Sequence, residues 1–206
     1  MNKNRKKTPN QERSAVGLPL EKVGLFLLLL SLSMLFLAFS IGYVFTRSQT
    51  SATGVYLPPI FILNSFILLA SSWAMHQANK AYKADNTAGY QKALTTTMLL
   101  TIVFMGAQVV GWFYFRTQLI GDNIGNGVHY LYAISGLHFA HIAGGIPFLA
   151  IFLYNAYNKM REPMTVLLYF ADPVKRMRLE LLTIYWHFLD GLWIFLVLFF
   201  LLNRLF

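Results

Sequence analysis

The sequence predicts an all-α integral membrane protein: a bundle of five transmembrane helices with the N-terminus cytoplasmic and the C-terminus outside. Three observations carry this. The chain has 206 residues, 56% hydrophobic and 12% charged, where an average soluble domain carries about 25% charged residues; its mean hydropathy is +0.51. No Asp, Glu, Lys or Arg occurs in Val23 to Phe45, Ser48 to Asn79, Ala93 to Phe115 or Asn123 to Asn158, and Leu181 to Asn203 holds one charge, Asp190. A spanning helix needs roughly 20 apolar residues, so each run can hold one. The basic residues alternate by loop: 14 of the 17 fall before the first span, between the second and third, or between the fourth and fifth, leaving Arg47, Arg116 and Arg204 on the other side. Short basic loops resist translocation, which sets the orientation.

The elements follow in order. Residues 1–20 are basic and polar and read as a disordered cytoplasmic tail; the apolar run behind them is too long for a signal core, so a retained helix is expected. The membrane domain is 21–206, with helices at about 22–45, 56–79, 94–115, 128–157 and 179–203. Pro58 and Pro59 suit the first turn of the second helix, where missing amide donors cost little. Pro147 falls inside the fourth and is expected to kink it. Connections of about ten to twenty residues are too short for an extramembrane domain of about 50 or more. Tyr43, Tyr56, Trp112, Tyr114 and Tyr157 fall near helix ends, as interfacial aromatics do.

Composition excludes several functions. The net charge of +9 would suit nucleic acid in a soluble protein, but its placement in alternate loops is that of a membrane protein. With no cysteine there is no disulfide, thiolate metal site or covalent heme attachment through sulfur. No internal repeat is found, which argues against inverted-repeat transporters.

The titratable residues within the spans concentrate in the last two helices. His138 and His141 are three apart and share a helix face; on the last helix Glu180, His187 and Asp190 form one polar stripe. His141 and Asp190 are each near the middle of their helices, so the stripes lie at similar depth and are expected to meet. A charged carboxylate at mid-membrane costs several kcal/mol unless it is paired. Four chemistries fit: axial heme ligation by His187 with His138 or His141, a di-metal site using Asp190 and Glu180, a proton relay, or a hydrogen-bonded clamp between helices. His76 and Trp186 are candidate lipid-headgroup contacts, and His129 an interfacial residue. Asn64 and Gln108 are expected to bond a neighbouring helix, and Gly136, Ala140 and Gly144 form a small-residue stripe expected to pack within the bundle, with a subunit interface as the alternative.

The run Gly-Leu-His-Phe-Ala-His at 136–141, Leu179-Glu180, and Tyr-Trp-His-Phe-Leu-Asp-Gly-Leu-Trp-Ile-Phe at 185–195 resemble the signature of subunit III of the heme-copper terminal oxidases. Lys22-Val23-Gly24, Leu57-Pro58 and Ser71-Ser72 with His76 extend the likeness over about 20–206. The chain looks like the short five-helix form, lacking the first two helices of larger members. Many members carry a buried Glu after a Ser in their counterpart of the first helix, where here Ser31 is followed by Leu32.

The resemblance implies an accessory subunit, without catalytic residues or cofactors of its own, in the inner membrane of a bacterium. Hemes and copper belong to its partners, oxidase subunits I and II, with bound phospholipid a further expectation. The complex would reduce oxygen to water while pumping protons, with this chain supporting proton uptake and sustained turnover. The donor is cytochrome c or quinol; an accessory protein of a nitric oxide reductase system and a free-standing transporter are the alternatives.

Overall fold

The computed structural model describes residues 19–50, 57–118, 126–160 and 162–205. It contains α1 (Leu20–Thr50), α2 (Pro59–Lys83), α3 (Thr87–Gln118), α4 (Asn126–Asn158), α5 (Pro163–Phe170) and α6 (Pro173–Leu205). All but α5 are long and apolar enough to cross a membrane. The predicted tail up to residue 18 and the predicted helix start at Tyr56 lie outside the described residues.

Five spans are expected and five are present among the described residues, but most run further than the apolar runs that revealed them. α3 begins at Thr87 rather than 94, because Asn86 caps it, its Oδ1 accepting the Gly89 amide at 2.9 Å. α6 begins at Pro173 rather than 179, because Asp172 caps it through the Val174 amide at 2.9 Å. A hydrogen bond from the Lys175 side chain, followed by those amides, holds the Asp172 carboxyl below its ordinary pKa. Both extensions contain charged residues, so hydropathy alone stops short of them. The eight-residue α5, expected as loop, starts at Pro163 behind Glu162, whose amide donates to Thr165 Oγ1 at 3.3 Å.

α2 and α3 form the closest pair, joined by a tight turn in which Asp85 takes φ 52°, a left-handed conformation that Asp tolerates. α6 packs on α2 and α4, α3 on α4, and α1 on α4 and α6. One apolar cluster, including Phe36, Phe61, Phe104, Ile134 and Trp193, draws on all five spans. A second, including Met75, Tyr82, Tyr90, Leu149 and Tyr169, lies toward the α2–α3 turn and has no member from α1. At that end Arg178 pairs with Glu21 at 2.8 Å and Lys83 with Glu180 at 3.4 Å. The N-terminal end of α1, the α2–α3 turn and the start of α6 therefore share one side, as the basic-residue pattern requires.

Candidate functional site

Asp190 and His141 sit beside the midpoints of α6 and α4, as the sequence predicts. The two stripes do not meet. His138 is fully buried, and its Nε2 donates to the Leu189 carbonyl of α6 at 3.0 Å, so α4 reaches α6 through backbone and not through Asp190 or His187. Its ring lies 4.9 Å from that of Trp193 and 5.9 Å from that of Phe104, and Nδ1 has no partner among the described residues. His141 turns back on its own helix, Nδ1 donating to the Leu137 carbonyl at 2.6 Å, with its ring near Phe36. Tyr185 Oη donates to the His141 carbonyl at 2.8 Å, a second tie between α4 and α6.

The stripe on α6 faces α2 instead. His187 Nδ1 and Ser72 Oγ are 2.5 Å apart, and Trp186 Nε1 donates to Ser71 Oγ at 3.2 Å. Ser72 also stands beside the carboxyl of Asp190, which is 3% exposed and whose Oδ2 has no hydrogen-bond partner among the described residues. The His76 ring, on the exposed face of α2, lies 6.5 Å from that of His187. Glu180 is not part of this group: its carboxylate pairs with Lys83 and Arg176 at the bundle end. The predicted cluster of His138, His141, Glu180, His187 and Asp190 thus divides into a buried α4–α6 tie, a polar α2–α6 seam and a surface ion pair. Helix rotation decides this: the seven- and three-residue spacings hold the stripe together only approximately, and the two serines of α2 offer hydroxyls where it lands.

Other expectations fare differently. Asn64 and Gln108 do bond across helices, Nδ2 to Oε1 at 2.8 Å between α2 and α3. Trp186 is 2% exposed and cannot reach a headgroup, because its indole is drawn inward by Ser71 and by Gly145. Tyr43 is likewise buried, edge-on to Phe199, Phe200 and Tyr130. The stripe of Gly136, Ala140 and Gly144 does not pack within the bundle. Nothing lies within 4 Å of a Cβ built at Gly136 or Gly144, and Ala140 is exposed; the neighbouring Gly145 is the one pressed against Tyr185 and Trp186.

These positions limit the chemistry. With its Nε2 committed and its ring packed between Trp193 and Phe104, His138 cannot serve a heme facing His187, and His141 faces its own carbonyl. Glu180 and Asp190 are ten residues apart, about 15 Å along α6, too far to share a metal pair. Among the described residues no group of three or more His, Cys, Asp or Glu is placed to hold a metal ion. Imidazole, hydroxyl and carboxyl along the α2–α6 seam can exchange hydrogen bonds and protons.

The family model described as cytochrome c oxidase subunit III matches residues 14–203. The chain belongs to the cytochrome c oxidase subunit III family. Relatives of this subunit III chain include cytochrome c oxidase subunit 3 of Synechocystis sp., 27% identical over 92% of this chain and 78% of that protein. The subunit 3 of Thermostichus vulcanus is 27% identical over 84% of this chain and 83% of its own. A Staphylococcus aureus protein named "Probable quinol oxidase subunit 3" is 22% identical over 70% and 67%. Leu32 is 4% exposed within the larger apolar cluster. Ser31 beside it is exposed and bonds its own helix at the Leu27 carbonyl.

Proposed function

We propose that this subunit III is the accessory, non-redox subunit of a proton-pumping aerobic terminal oxidase of the cytochrome c type in a bacterial inner membrane. It supports proton uptake, stability and sustained turnover of subunit I. The observation that carries this is the family match over 190 of the chain's residues (14 to 203), on a fold whose titratable groups serve helix–helix contacts. The cytochrome c donor is favoured because the relatives of that name cover 92% and 84% of the chain. A quinol donor is the second reading, supported by the Staphylococcus aureus relative.

The α2–α6 seam is the element through which the chain acts on its partner. Ser72, His187 and Asp190 fix the register of two spanning helices, and His76 carries the polar path to the exposed face of α2. His138 and Glu180 hold the rest of the scaffold. The outward stripe of Gly136, Ala140 and Gly144 leaves α4 open to close approach by a helix of another subunit.

The test compares the native complex with and without this chain, following oxygen consumption over time and the heme and copper optical spectra. The expected result is intact spectra with turnover that falls or decays sooner. Loss of the heme spectrum would replace the proposal with an assembly role, and unchanged rate and lifetime would remove it.

A further inference from the structure

Four fully buried polar atoms, one each from α2, α3, α4 and α6, have no hydrogen-bond partner among the described residues: Asn64 Oδ1, Gln108 Nε2, His138 Nδ1 and Trp193 Nε1. They stand as two couples. Asn64 and Gln108 share one bond at 2.8 Å, and the rings of His138 and Trp193 lie 4.9 Å apart. Two phenylalanines bring the couples together. Phe61, one turn from Asn64, stacks on Trp193 at 5.6 Å; Phe104, one turn from Gln108, meets Trp193 at 5.3 Å and His138 at 5.9 Å.

Each couple holds one donor and one acceptor. The Leu189 carbonyl can only accept, so the ring proton of His138 that meets it sits on Nε2, and Nδ1 of the neutral ring is a bare acceptor beside the indole N–H of Trp193. The amide pair leaves a Gln108 N–H and the Asn64 carbonyl. Exchanging oxygen and nitrogen in both side chains moves the bond between them and still leaves one donor and one acceptor. Neither couple closes on itself. In hydrocarbon no lipid tail supplies the missing bonds, and a buried group left without one costs its full desolvation. Phe61, Ser135 and Trp193 also border a cavity of about 10 Å³, the lower limit for one water.

We propose that the core between α2, α3, α4 and α6 binds ordered water. One molecule accepts from Trp193 Nε1 and donates to His138 Nδ1; a second does the same between Gln108 and Asn64. The balance of donors and acceptors selects this occupant. A metal ion would take only the two acceptors and an anion only the two donors, whereas water serves both within a space closed by aromatic rings. Two protein partners each, with a bond between the two molecules, place both within the range of buried waters. The first water also fixes the scaffold. Its proton on the Nδ1 lone pair keeps the ring proton on Nε2, the tautomer that ties α4 to the Leu189 carbonyl of α6. The inference does not depend on the oxidase role.

The test reconstitutes the full-length chain, isotopically labelled in nitrogen, in lipid bilayers and follows transfer of proton magnetisation from water to side-chain N–H groups by solid-state NMR, with signals assigned through the backbone. Trp186 is the internal comparison, being as deeply buried as Trp193 but donating to Ser71. The Trp193 indole N–H and the Gln108 amide are expected to receive magnetisation from water more strongly than the Trp186 indole. His138 Nδ1 should resonate as an unprotonated, hydrogen-bonded nitrogen. No variant has to fold for this reading. Trp193→Phe, where it does fold, should lose the indole signal and leave transfer to Gln108 in place. Lack of transfer to Trp193 or Gln108 in the parent chain, a protonated His138 Nδ1, or a direct bond from the Trp193 indole to His138 overturns the assignment.

Discussion

The Nδ1 atom of His187 and the hydroxyl of Ser72 lie 2.5 Å apart, and with Trp186 on Ser71 they join α6 to α2 along two adjacent residues of each helix. The seam needs no second stripe of titratable groups, because two serine hydroxyls supply it. In hydrocarbon the helices gain little from apolar contact with each other, so such bonds and close packing set the arrangement.

Ser72→Ala removes the partner of His187 and the hydroxyl beside Asp190 together. One interhelical bond in a membrane is worth about 0.6 kcal/mol, with about 1.7 as the upper measured value. Thermal unfolding in detergent should therefore shift down measurably. Ser33→Ala, whose hydroxyl bonds only the Leu29 carbonyl of its own exposed helix face, should not shift. Equal behaviour of the two variants would remove the seam from the account of stability.

Gly145 and Gly144 are neighbours with opposite surroundings. A Cβ at Gly145 meets the rings of Tyr185 and Trp186 at 3.0 Å, whereas one at Gly144 meets nothing within 4 Å. Gly145→Leu forces overpacking, which costs about 1–3 kcal/mol, and should destabilise the purified chain. Gly144→Leu should leave the isolated chain unchanged and, if α4 is covered by another subunit, lower its recovery with the complex. Destabilisation by both variants to the same degree would contradict this orientation of α4.

The basic residues predict an orientation that direct measurement can test. A reporter fused after Lys83, in the α2–α3 turn, should report cytoplasmic, and one fused after Asn203 should report external. The opposite pair of results would overturn the predicted orientation.

The five spans were legible because charge-free runs have one cheap solution in a bilayer, and Asn64–Gln108 because a buried amide must find a partner. Helix extensions were less legible: α6 reaches back through Lys175, Arg176 and Arg178, which hydropathy penalises, although Asp172-Pro173 is a readable start. The site was legible in membership and not in pairing. Spacing places His187 and Asp190 on one face of α6, but which helix that face meets depends on rotation and packing order, and Ser71 and Ser72 give a weaker signal than two histidines. Small-residue spacing likewise marked Gly136, Ala140 and Gly144, while the packed residue is Gly145, one position round the helix.

Asp190 separates scaffold from proton-linked function. It is 3% exposed beside the midpoint of α6, and its Oδ2 is without a partner among the described residues. Ser72 is the hydroxyl beside it. An ionised carboxylate held there costs several kcal/mol. Asp190→Asn keeps the shape and the hydrogen-bonding capacity toward Ser72 and removes the ionisable proton. If the carboxyl contributes no strong pairing, the variant should unfold within about 1 kcal/mol of the parent, the range of single polar contacts between membrane helices. A loss of stability well beyond that would reveal a charged partner and defeat the seam as drawn. With stability preserved, the same variant in the native complex should show unaltered heme spectra and a shortened period of sustained oxygen consumption. Asp190→Leu, which also removes the polarity, should shorten it at least as much. An unchanged lifetime in both variants would confine Asp190 to a packing role and leave the effect on subunit I to the docking face alone.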